Sequence, residues 1–175
     1  MAAGATLYQV DLVVSDVDRG VYETLAVRLA QHPSESLRYM TTRLLAYALA
    51  YEEGIAFSKG GVSSRDEPPL SVRDATGALR AWIEIGAPAA ERLHKASKAC
   101  DRVSLFTSVD TAYLASERIH RRESIEIFRI DAAFVDALGA RLERRTSLEL
   151  VRTDGRLYAT TAAGVLEGEL AREAP

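Results

Sequence analysis

At 175 residues, with 47% hydrophobic and 27% charged side chains, the chain has the make-up of a globular protein. Its formal net charge of −3 argues against the broad basic footprint of non-specific nucleic-acid binding. No apolar run approaches the roughly 20 residues that cross a bilayer, and Cys100, the single cysteine, excludes an internal disulfide or a cysteine zinc site.

The opening, "MAAGATLYQVDLVVSD", lacks the basic n-region of a signal peptide and reads as a strand. With "VYETLAVRLAQ" it makes a β-hairpin across the turn "DVDRG", although the second segment has helical composition as well. "HPSESLRYMTTRLLAYALAYEEG" predicts a long helix, with Pro33 at its first position, Glu35 in its first turn and Gly54 at its end. Leu37, Met40, Leu44, Tyr47, Ala48 and Tyr51 fall on one stripe of it. A short strand "IAFSK", a loop over 60–77 and a strand "ALRAWIEIG" follow. "APAAERLHKASKACD" is a proline-opened helix, "RVSLFTS" a strand, "VDTAYLASERIHRR" a helix and "SIEIFRI" a strand. The last helix is "DAAFVDALGARLERR", and Asp154-Gly155 marks a closing hairpin. The order predicts a single mixed α/β domain over 1–175. Hairpins at the two ends are expected to pair as a second β-sheet. A soluble, cytoplasmic protein is the expectation, with no membrane partner and an oligomeric state left open.

Chemistry, if there is any, centres on acidic side chains. In "WIEIG" the carboxylate of Glu84 lies between Ile83 and Ile85, and alternation puts Arg80, Trp82 and Glu84 on one face of the strand. A buried carboxylate needs a protein cation, a metal ion or water. Asp66 and Glu67 stand in the preceding loop and Glu35 at the start of the long helix. Two carboxylates from neighbouring segments suit a hard ion such as Mg²⁺. Each also has a plainer account: an arginine partner for Glu84, a turn for Asp66, and the helix dipole for Glu35. Lys95, four residues after Glu91, forms an i,i+4 pair with it on this reading. His32, before the long helix, reads as a capping or packing residue, His94 and His120 lack metal-ligand spacing to one another, and the run Arg118, His120, Arg121 and Arg122 reads as a solvated helix end.

"HPSES" followed by "M..RLLAY", "DEP" and "WIEIG.P...R..KA" resembles the YaeQ family of bacterial proteins. The "DRG" turn and the "GR" hairpin agree, so the resemblance spans nearly the whole chain. It implies a fold similar to the PD-(D/E)XK nucleases, a mixed sheet flanked by helices with an additional sheet. By that resemblance Asp66 and Glu84 are the two acids that hold Mg²⁺ or Mn²⁺. The carbonyl of Ile85 is a further ligand, and Glu35 is a supporting helical acid. The lysine of the E-x-K motif is replaced by Gly86, and Lys95 on the next helix is the candidate substitute. Two functions follow as expectations. One is metal-dependent phosphodiester hydrolysis of nucleic acid, with Glu35, Asp66, Glu84 and Lys95 catalytic. The other is a non-catalytic module of the same fold that binds protein or nucleic acid in a regulatory role.

Overall fold

A computed structural model describes residues 4–59 and 66–174. Long β-branched and apolar segments alternate in and out from the start. β1 (Thr6–Asp16) and β2 (Val21–Gln31) pair antiparallel over their full lengths, settling the second segment as strand. Helix α1 (Leu37–Leu49) follows, then β3 (Ile55–Phe57), β4 (Leu70–Arg73) and β5 (Leu79–Ile85). Helix α2 (Ala90–Ala99), β6 (Val103–Thr107), β7 (Ile125–Ile130) and helix α3 (Ala132–Arg141) complete the middle. The chain ends with β8 (Arg145–Thr153), β9 (Arg156–Thr161) and β10 (Gly164–Glu173). The architecture is mixed α/β: one large sheet and, among the described residues, three α-helices. None of these helices is long and apolar enough to cross a membrane.

The sheet runs β2-β1-β8-β9-β10-β7-β6-β5-β4-β3. The terminal hairpins do pair, through parallel β1–β8 contacts, but they do not form a separate second sheet. The physical reason is β10. Its first part, Gly164–Glu169, pairs with β9, and its last part, Leu170–Glu173, pairs with β7. One strand thus carries the ladder from one half into the other. The β8–β9 turn is as read: Asp154 and Gly155 both have positive φ, as a two-residue hairpin turn demands.

Three further expectations are corrected. Helix α1 starts at Leu37, not Pro33, because Ser36 caps it by accepting the Tyr39 N–H; residues 33–35 form the turn before it, and Gly54 lies in a turn beyond its end. The expected loop over 60–77 contains β4, although residues 60–65 lie outside the described ones. The segment 109–122 is not an α-helix but carries short 3₁₀ turns at Ala112–Leu114 and Arg122–Ser124, with Arg121 at positive φ.

Helix α1 is enclosed rather than amphipathic. Met40, Leu44, Leu45 and Ala48 pack into a core shared with Val10, Leu12 and Val14 on one side and Ala81, Ile83 and Ile85 on the other. Thr41, Thr42 and Arg43 are buried too; the threonines are satisfied by the carbonyls of Leu37 and Arg38, each at 2.8 Å. A second cluster, on the opposite face of β5–β7, joins Trp82, Leu105 and Ile127 to Leu93 and Ala96 of α2. Trp82 and Glu84 therefore face α2, while Ala81, Ile83 and Ile85 face α1.

Candidate functional site

Strand alternation drives Glu84 into the layer under α2, where it is 2% exposed. Its Oε2 accepts two hydrogen bonds, from Trp82 Nε1 at 2.9 Å and from Arg92 Nε at 2.8 Å. Arg92 lies in the first turns of α2 with its side chain 24% exposed, its guanidinium 5.9 Å from the Trp82 ring. Its Nη2 reaches on to the carbonyl of Glu67 at 2.8 Å, tying the loop before β4 to the same helix. Burial pushes the Glu84 carboxyl above its usual range, against the opposing pull of Trp82, Arg92 and the Ile85 backbone.

Lys95, three residues beyond Arg92 on α2, makes an ion pair with Asp66 and not with Glu91. This pair is open to water, Lys95 being 50% and Asp66 86% exposed at the side chain; the lysine holds the Asp66 carboxyl below its usual range. Ile85 closes β5 with its side chain in the core, and Gly86 N–H donates to Phe106 O at 2.9 Å.

Glu35 is not in a helical turn. It precedes the Ser36 cap and meets Arg43, two turns further on, through Nε–Oε1 and Nη2–Oε2 contacts of 3.0 Å each. The pair is sealed, with the Glu35 side chain 1% exposed. The Glu35 Oε2 also accepts the His32 N–H, and Arg43 Nη2 donates to Ala30 O at 2.7 Å. Burial raises the Glu35 carboxyl, with Arg43 opposing.

Tyr39 feels the charge of both acids. Its phenol is pushed up to about 12, by burial first and then by the negative charge of Glu84. At neutral pH it is therefore a hydrogen-bond donor and not a phenolate. Its ring lies against Gly86, where a Cβ would come within 3.3 Å of it, and Gly86 has φ +79. This position, where the motif would carry lysine, accepts glycine for conformational and steric reasons alike.

The structure thus brings Glu84, Arg92 and Trp82 together, and pairs Asp66 with Lys95 midway along the exposed side of α2. A divalent ion fits this donor set poorly as arranged. The Glu84 oxygen is engaged by two N–H donors, and Asp66 is held by an amine. Among the described residues no three His, Cys, Asp or Glu side chains gather. Arg92, Arg43 and Tyr39 are the participants that acidic motifs did not point to. Neither arginine carries a spacing signal: each lies eight residues after its glutamate but on a different element.

A family model described as YaeQ protein matches residues 1–170. An uncharacterised YaeQ protein of Salmonella typhi is 30% identical, over 97% of this chain and 96% of the relative. That of Escherichia coli K12 is 28% identical over the same shares. The crystal structure of the YaeQ protein from Xanthomonas axonopodis pv. citri superposes with a TM-score of 0.86 at 29% identity, covering 98% of this chain and 99% of that one. The one from Pseudomonas syringae gives 0.86 at 30%, covering 98% and 97%. Matched by the family model over nearly its whole length, and by relatives and solved structures across almost all of both chains, this chain belongs to the YaeQ family.

Proposed function

We propose that this chain is a binding module on a nuclease-like, PD-(D/E)XK-type fold, in which the acidic positions hold the structure together instead of holding a metal. The observation that carries this reading is that α2 supplies a cation to each acid: Arg92 to Glu84 and Lys95 to Asp66. The partner is a protein or nucleic acid, bound in a regulatory role, and the lone buried thiol of Cys100 suits a cytoplasmic setting.

The test combines a cleavage assay on DNA and RNA, with Mg²⁺ or Mn²⁺, and thermal melts in the same ions. The expected result is no cleavage and no metal-dependent rise in melting temperature. A site that does bind metal gains about 2.7 kcal/mol at a hundredfold excess over its dissociation constant. Such a gain in the wild type, absent from Glu84→Gln, would overturn the reading.

A second reading is metal-dependent phosphodiester hydrolysis, with Asp66, Glu84 and the Ile85 carbonyl as ligands of Mg²⁺ or Mn²⁺, and Glu35 and Lys95 in support. What favours it is that α2 draws Glu84 and Asp66 to one helix, through Arg92 and Lys95. It requires Arg92 to leave Glu84. Arg92→Gln is therefore its sharpest probe: that variant should acquire metal-dependent stabilisation if the carboxylates can bind an ion once the guanidinium is gone.

A further inference from the structure

The sheet has two outer strands, and they are unequal. β3 is three residues long, and shortness is one way of blunting an edge. β2 runs for 11 residues without a proline, a lysine or a bulge, and among the described residues no strand lies beyond it. A long edge without those devices is a template for another strand.

The backbone groups it offers follow from its neighbour. The Gln9 N–H of β1 donates to Arg144 O and the Val17 N–H to Arg152 O, so odd-numbered residues along β1 turn their backbone toward β8. The even-numbered ones bond β2, where their partners include Glu23, Leu25, Val27 and Leu29. Tyr22, Thr24, Ala26, Arg28 and Ala30 therefore aim their N–H and C=O groups outward. Of these, Ala30 O is already taken by Arg43 Nη2. The side chains of all five lie on the exposed face. Tyr22 is 62% exposed, and neither its ring nor the Arg28 guanidinium has a partner among the described residues.

We propose that β2 pairs antiparallel with β2 of a second copy of this chain, about a two-fold axis at Leu25. Such an axis, perpendicular to the sheet, keeps each face on its own side, so outward-aimed residues meet outward-aimed ones. Centred on Leu25, the register sets Tyr22 opposite the partner's Arg28, and Thr24 opposite the partner's Ala26. Every free backbone position from Tyr22 to Arg28 is then paired, and Ala30 is not needed. An axis at Ala26 or Val27 engages Ala30, whose carbonyl is occupied; one at Thr24 sets Arg28 opposite Gly20, outside the strand. On the exposed face the Leu25-centred register lays the Tyr22 ring against a guanidinium, a cation–π contact made twice by symmetry. On the other face Leu25, which packs against the core, meets its own copy. No like charges stand opposed. The interface uses nothing from the Glu84 region, so it stands whatever that region binds.

Sedimentation equilibrium of the full chain tests it, with a concentration-dependent dimer expected in the micromolar range. Thr24→Pro removes an outward N–H that the monomer does not use, a place where an edge strand tolerates proline. It should give a monomer with the circular dichroism of wild type. Should proline disturb the hairpin, Tyr22→Arg decides: at an exposed site it sets arginine against arginine, and should weaken association about tenfold. Leu25→Cys supplies a positive signal. Opposed residues of a non-hydrogen-bonded pair lie about 4.5 Å apart at Cα, within disulfide reach, so this variant should cross-link on oxidation. Wild type, whose one cysteine is buried, should not. The proposal falls if wild type stays monomeric, which would leave the edge to a strand of another protein. It falls equally if a folded Thr24→Pro or Tyr22→Arg dimerises as wild type does, or if oxidised Leu25→Cys remains a monomer.

Discussion

Glu84 shows how two large electrostatic effects settle one residue's role. Its burial disfavours the charge, and its contacts with Trp82 and Arg92 favour it; the raised carboxyl says that burial wins. Glu84→Gln keeps an acceptor for those donors and removes the buried charge, so its stability at neutral pH should stay within about 1 kcal/mol of wild type. Glu84→Ala strands both donors beside a cavity and should cost about 2–4 kcal/mol. The pH dependence has a definite sign. A carboxyl raised in the folded state adds stability that is complete below its ordinary value of 4.5 and is lost as pH rises through the raised value. The melting temperature of Glu84→Gln, relative to wild type, should therefore climb as pH rises above the ordinary value of 4.5. A gap that shrinks over this range would mean that Arg92 outweighs burial. The sealed Glu35–Arg43 pair behaves differently on truncation. Arg43→Met leaves Glu35 buried without its cation and should cost about 3–5 kcal/mol, whereas Glu35→Leu with Arg43→Met should recover most of that loss. Denaturant titration of the single and double variants measures the coupling. Additive losses would show that the two side chains do not act as a pair.

At the scale of elements, α2 is the part whose meaning changed most between sequence and structure. Its proline-opened start was legible, as was the alternation that put Trp82 and Glu84 on one face of β5. Its partners were not. Arg92 and Lys95 reach residues 8 and 29 positions away in sequence, contacts that no local spacing encodes. The 109–122 segment misled for a related reason: its composition suits a helix, but only Leu114 is buried in its first 3₁₀ turn, too little apolar surface to support one. Strand β4 was missed because four residues between turns show no readable period. Two close approaches test how these elements meet. Gly86→Lys restores the residue type of the nuclease motif but must adopt positive φ against the Tyr39 ring, so it should destabilise by about 1–2 kcal/mol and leave cleavage absent. Gly168 of β10 faces Phe134 of α3 so closely that an added Cβ would lie 2.5 Å from the ring. Gly168→Ala should then cost about 1–3 kcal/mol by forcing α3 off the sheet, measured by denaturant midpoint. An unchanged midpoint would mean that Phe134 can move at no cost.

For the whole molecule the question is whether two sheet halves make one cooperative unit. The hairpin at the start and the hairpin at the end were both readable from turn chemistry, and so was their pairing. That they continue into the central sheet was not, because β10 changes partners partway along with no sequence mark at the crossing. Helix α1 argues for a single unit. Its buried residues share one core with β1 and β2 from one half and with β4 and β5 from the other, so neither half can open without exposing it. The single tryptophan offers a local probe, since Trp82 is packed in the separate cluster beneath α2. Its fluorescence reports that side of the sheet, while far-UV circular dichroism averages over all ten strands and the helices. In urea the two signals should trace one coincident transition, as a two-state domain requires. Leu170→Ala, placed in the shared core where β10 passes from β9 to β7, should lower both midpoints together by removing about 2–5 kcal/mol. If the tryptophan signal instead moved alone, or the wild-type curves separated, α1 would not be joining the halves, and the molecule would unfold as two units connected by one strand.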